Sequence, residues 1–152
     1  MPFLAIVVNE TRYGLSLAAV DRVIHLVEIT ALPKAPASVR GIVDIQGVVL
    51  PVIDLRRRFR LPEREPRLSD SLVLARTPRR SVAILADTIG AVEMVAPEEW
   101  IPAPLVVPGA GYVAGVVKRA DGLILIHDLD ACLSLEEEAK LEDALPSARD
   151  QR

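Results

Sequence analysis

The sequence predicts a mainly β protein in which two small curled sheets, each of five strands, share one hydrophobic core. Three observations carry that prediction. Hydrophobic residues make up 51% of the chain, yet there are only two Phe, two Tyr and one Trp, so aliphatic side chains must fill the interior. Twelve prolines and eight glycines cut the apolar sequence into short runs, which favours strands over long helices. A hairpin pattern also occurs twice. Gly41-Ile42-Val43 and Asp54-Leu55 of the first copy fall on Gly115-Val116-Val117 and Asp128-Leu129 of the second, with Gly47 and Gly122 at the turns, as in a faint duplication.

The first two strands are Phe3 to Val8 and Tyr13 to Leu17, and a third spans about Val23 to Ile29. Pro33 and Pro36 then bar regular pairing and push Leu32 and Ala35 toward extended geometry, so a new element opens at Val39. Ile42 to Ile45 and Val48 to Ile53 flank Gln46-Gly47, which reads as a tight hairpin. Asp54 closes that hairpin and can cap a short helical turn over Leu55 to Phe59, because its carboxylate can accept from the free amides that follow. Arg60 to Asp70 is polar, charged and proline-bearing, the composition of an exposed connection.

The order then repeats, with strands at Leu72 to Ala75, Val82 to Ala86 and Ala91 to Val95, a proline loop and the second hairpin. Neither half, about 3–60 or 70–133, can bury enough apolar surface alone, so together they form one domain over 1–133. From residue 134 the character changes. Ser134 and Glu137 make a capping box, Leu135 to Leu145 favours helix, and Pro146 stops it. Leu141 and Leu145 give this helix only a thin apolar stripe, so it is expected to dock loosely, with a disordered tail completing 134–152.

Composition excludes several function classes. A net charge of −3 offers no field that would recruit nucleic acid or an anionic membrane, so partners must be found by local surfaces. The amino terminus lacks a basic segment, and its apolar run is too short for a signal or a membrane span, as is every other run. The single cysteine, Cys132, excludes an internal disulfide and fits a reducing compartment. These features place the protein in the cytoplasm, without direct membrane insertion.

Catalysis would need a nucleophile, a base and a group that orients the base. His25 and His127 lie in apolar strand runs. His127 has Asp128 and Asp130 beside it, but strand alternation sends neighbouring side chains to opposite faces, so a structural histidine is the better reading than a metal ligand. Cys132 has no cation or helix start arranged to activate it. The carboxylates Glu98-Glu99 and Glu136 to Glu138 sit at helix starts, where negative charge is favourable for structural reasons. No phosphate-binding, dinucleotide or zinc motif occurs, which leaves a non-enzyme without metal or cofactor. Arg56, Arg57, Arg58 and Arg60 open the alternative of a small nucleic-acid-binding barrel. Such binders need aromatic platforms, and only Phe59 is close, so a solvated or protein-facing basic patch is preferred.

The segment from Leu32 to Phe59 resembles the central motif of the CheW-like family, the adaptor domains of bacterial chemosensory arrays. Gly41, Ile42, Gly47, Val49, Pro51, Val52, Asp54, Leu55 and Arg56 stand where that family has them, as do Val20 with Val23, Asp87, and Ile101-Pro102 with Pro104. The resemblance implies two five-stranded SH3-like barrels around a common interior. It also implies a scaffold that couples a chemoreceptor's cytoplasmic tip to the regulatory domain of a CheA-type histidine kinase, in chemotaxis or in a pilus or second-messenger pathway.

Carried over, the receptor-side groove falls on Val20, Gly41, Gln46, Gly47, Leu72 and Val92. Three positions depart from the family pattern. Arg22 stands where the family has Glu, Asp44 where it has Asn, and Gln46 where it has Arg. The expectation is that Arg22 pairs with Asp44 or Glu28, keeping the fold while shifting partner choice.

Overall fold

In this computed structural model the described residues are 1–102, 112–131 and 133–145. Pro104, Cys132 and the tail expected to be disordered after Leu145 lie outside them. The strands are β1 (Pro2–Val8), β2 (Thr11–Ser16), β3 (Val20–His25), β4 (Val39–Ile45), β5 (Val48–Asp54), β6 (Ser71–Arg76), β7 (Ser81–Ala86), β8 (Thr88–Met94), β9 (Trp100–Pro102), β10 (Val113–Arg119) and β11 (Gly122–His127). A helical turn, α1 (Leu55–Arg58), follows β5, and α2 (Leu135–Ala144) ends the described chain.

Two sheets result, as the sequence predicts, with one strand more than expected in the larger. One has six strands in the order β8-β1-β2-β11-β10-β9, the other five in the order β3-β6-β7-β5-β4. The orders are the same pattern twice, but neither sheet comes from one contiguous half. The first hairpin of each half, β1–β2 or β6–β7, has crossed into the sheet that the other half completes. Each exchanged hairpin joins its host by a parallel pairing, β2 with β11 in one sheet and β7 with β5 in the other.

Period-two alternation explains why β1 and β6 read as continuous apolar runs. Both of their faces are buried. Leu4, Ile6 and Val8 of β1, with Val73 and Ala75 of β6, enter a seam between the sheets that also holds Ile53, Ile84 and Leu129. The alternate residues turn into the two sheets' own interiors. Phe3 and Ala5 meet Val117, Ile124 and Ile126 in the six-stranded sheet, while Leu72 and Leu74 meet Val43, Leu50 and Val52 in the five-stranded one.

Two boundaries and one element differ from expectation. The third strand runs earlier than Val23 to Ile29, because its partner β6 begins at Ser71, opposite His25; beyond it only a Leu26–Asp70 bond and an isolated bridge from Thr30 to Ile42 are made. Likewise β8 spans Thr88–Met94 instead of starting at Ala91. Helix α2 is firmly docked, not loosely held. Leu141 is fully buried in the seam, and Arg80 of the loop before β7 donates to Glu138 at 2.8 Å and to Glu142 at 2.6 Å. A single well-placed leucine with flanking ion pairs replaces the broad stripe that the sequence lacks.

Candidate interaction site

The β4–β5 turn is built from two residues in left-handed conformation, Gln46 at φ 53° and Gly47 at φ 87°. That pair matches the twist of a hairpin, and Asp44 fixes it by accepting from the Gly47 amide at 2.8 Å. Across the mouth of the five-stranded sheet lies β3. Arg22, Ile45, Gln46, Val48, Leu50 and Leu74 line a small cleft of about 240 Å³ there, with apolar Val48 exposed at the surface.

Arg22 makes no ion pair among the described residues, so the expected pairing with Asp44 or Glu28 does not form. Asp44 is committed to the turn, and the nearby ion pair joins Arg76 to Asp21 at 2.9 Å. An exposed guanidinium therefore stands at an apolar-edged mouth.

The remaining expected groove residues do not converge on this place. Leu72 is fully buried: Val73 beside it faces the seam, so alternation turns Leu72 into the sheet interior, out of a partner's reach. Gly41 is buried too, and a Cβ there would lie 2.3 Å from the Thr30 carbonyl oxygen, which makes its smallness a requirement of β4 packing. Val20 is half-buried at the start of β3. Val92 is exposed, but on β8 of the other sheet. Sequence reasoning did not single out Val48. The signal was its place directly after the flagged Gly47, at a strand end whose apolar side chain points to solvent.

Behind this surface the arginine cluster turns inward, and the expected basic patch is absent at Arg56 and Arg58, both buried. Asp54 caps α1 by accepting from the Arg56 amide at 2.9 Å, as its place after the hairpin predicts, and takes Arg40 at 3.1 Å. The Arg56 guanidinium forks onto Asp87 at 2.6 and 2.8 Å. Arg64 bonds both Asp70 and Asp87, so the 60–70 connection is pinned at Arg64 where an exposed linker was expected. Burial pushes the Asp87 carboxyl up, but bonds from Arg56 and the Asn9 amide and the two arginine charges outweigh it, holding it below the usual carboxylate range.

Arg58 points the other way. It donates to Ser38 at 3.1 Å and to Glu137 of α2 at 3.4 Å, and lies 3.9 Å from the Tyr112 ring centre. Beside it His127 is buried against the edge of Phe59, and burial, with a smaller push from the Arg58 charge, lowers its pKa to about 4. The imidazole is thus neutral. Among the described residues no cluster of His, Cys, Asp and Glu has the arrangement to hold a metal ion, and no helix is long and apolar enough to cross a membrane.

A two-sheet body with a small, partly apolar cleft at the mouth of one sheet is what the geometry presents. Comparison with known proteins agrees. The family model described as CheW-like domain matches residues 2–137. The chain belongs to the CheW-like family. Chemotaxis protein CheW of Treponema pallidum is 28% identical over 139 residues, covering 88% of this chain and 82% of the relative. That of Bacillus subtilis is 30% identical over 131 residues, covering 85% and 84%. The crystal structure of the scaffolding protein TtCheW from Thermoanaerobacter tengcongensis superposes with a TM-score of 0.80 at 25% identity, over 90% of this chain and 94% of that one. The family's chemotaxis scaffold role thus accompanies the fold.

Proposed function

We propose that this chain is a non-catalytic cytoplasmic coupler that holds a chemoreceptor's cytoplasmic tip and the regulatory domain of a CheA-type histidine kinase in one assembly. The observation that carries this reading, beside family membership, is the mouth of the five-stranded sheet. There Arg22, without an ion pair among the described residues, stands at a cleft lined by exposed Val48 together with Ile45, Leu50 and Leu74. Aliphatic surface supplies affinity and the uncompensated charge selects an acidic contact on the partner. Of the arginines that invited a nucleic-acid reading, Arg56, Arg57 and Arg58 are paired with carboxylates, which removes most of its support.

Biolayer interferometry against the receptor tip and the kinase regulatory domain tests the proposal. Micromolar binding is expected, with Arg22→Glu weakening one partner roughly tenfold, about 1.4 kcal/mol. Absence of binding to both partners by the unmodified chain would overturn it.

A further inference from the structure

The internal duplication supplies a template for a second recognition site. Asp54 and Asp128 occupy equivalent places, and several hydrogen bonds around them correspond. The Asp54 amide donates to Ser38 and the Asp128 amide to Tyr112, both at 2.8 Å. Asp54 accepts from the Arg56 amide at 2.9 Å and Asp128 from the Asp130 amide at 3.0 Å. Leu26 donates to the Asp70 carbonyl, and Val95 to the Met1 carbonyl.

The side chains differ. At the first place Arg40, Arg56, Asp87 and Asp70 fill the sheet end, and the chain's own 60–70 segment inserts Arg64 among them. At the second, the equivalent positions hold Ala114, Asp130, Ala18 and Met1, and all four line a cleft of about 780 Å³ together with Asp128. The second carboxylate oxygen of Asp128, whose counterpart receives Arg40, accepts no hydrogen bond among the described residues. His127 also lines this cleft; it is 2% exposed, and neither ring nitrogen has a partner among the described residues. The neighbouring cation, Arg76, is occupied by Asp21 and the Ala18 carbonyl.

We propose that this cleft receives a segment of a partner protein that presents an arginine between small aliphatic residues, with the guanidinium seated on Asp128 as Arg40 is seated on Asp54. Charge complementarity and the internal template identify the occupant. Alanines have replaced an arginine and an aspartate, so no side chain fills the space, while the equivalent space is closed by polypeptide carrying arginine. Asp128 and Asp130 are the acidic groups of the cleft, the lining Arg76 is paired with Asp21, and the Met1 amino group is a further cation beside them. The volume suits several side chains and the lining is mostly apolar, which favours a peptide segment over a free ion. That the partner belongs to the chemosensory assembly rests on the coupler reading above.

Ala114→Arg tests the idea by restoring the internal plug. It should keep or raise the thermal midpoint while weakening binding to the kinase regulatory domain or the receptor tip roughly tenfold or more, and Asp128→Asn should weaken the same partner. If both variants bind both partners as the unmodified chain does, this inference falls and the coupler reading stands. If the unmodified chain binds neither, the coupler reading falls, and titration with the peptide acetyl-Ala-Val-Arg-Val-Ala-amide, read at the Trp100 indole, decides the cleft. A saturable change lost in Ala114→Arg sustains it and no change overturns it. Dimerisation of the chain that Ala114→Arg abolishes would also overturn it, by making a second copy the occupant.

Discussion

The sheet ends at Asp54 and Asp128 share a backbone pattern and diverge in what the side chains do with it. At Asp54 three arginines, on β4, α1 and the 60–70 connection, interlock with Asp54, Asp70 and Asp87, the last in the turn between β7 and β8. At Asp128 small residues leave a hollow. The sheet interiors diverge as well. The five-stranded sheet encloses aliphatic side chains throughout, including Ile45 near its mouth. At the position equivalent to Ile45, the six-stranded sheet has Arg119, poised over the Phe3 ring and paired with Glu93 and Glu99. Backbone hydrogen bonds thus preserve the repeated architecture, while side chains are free to make one copy's end structural and the other's receptive.

Substitutions at the two ends should separate these roles. Asp87→Ala leaves the buried Arg56 guanidinium without its carboxylate, while Arg64 keeps Asp70, and should cost about 3 kcal/mol, measured by urea denaturation. A cost as small as that of changing Asp128 would erase the contrast. The seam can be probed through Leu141→Ala, expected to cost about 3 kcal/mol because the position is fully buried between the sheets. A change below 1 kcal/mol, in a series where such core truncations run from about 2 to 5, would restore the loosely docked helix.

His127 sharpens the comparison through pH. Its equivalent in the first copy is buried Ile53. Its folded pKa of about 4 lies below the unfolded value near 6.5, so the unfolded chain takes up the proton first. The stability is therefore complete above about pH 6.5 and is lost as pH falls toward about 4, amounting to about 2 kcal/mol by pH 5. His127→Ile should remove that slope from denaturation curves, and an unchanged slope would show that other groups produce it. The smallest effect is expected at Asp128 itself. Asp128→Asn keeps an acceptor for the Asp130 amide and should change stability by less than about 0.5 kcal/mol.

Much of the architecture was legible because it rests on local chemistry. Gln46-Gly47 dictated a hairpin, Asp54 dictated a cap, and Ser134 with Glu137 marked the start of α2. Hairpin exchange was not legible. Both hairpins have the same apolar alternation, and nothing in Leu4, Ile6 and Val8 distinguishes a home sheet from a host sheet. The arginines misled for a related reason. Their acids, Asp87 and Glu137, are remote in sequence, so Arg56 and Arg58 read as surface charge until the fold brought the partners together. Among the expected contact residues, Arg22, Asp44, Gln46 and Gly47 lie at one mouth because the sheet's curl sets the β4–β5 turn across from the opposite edge strand, β3. Leu72 failed because a buried strand and a groove-lining strand look alike when both faces are apolar.

The exchange also governs how the molecule comes off the ribosome. The β1–β2 hairpin has its sheet neighbours, β8 and β11, in the second half of the chain, so it must wait exposed until they have been synthesised. Cutting the chain in the 60–70 connection would therefore yield two fragments, each sticky alone, that reconstitute the native body only when mixed.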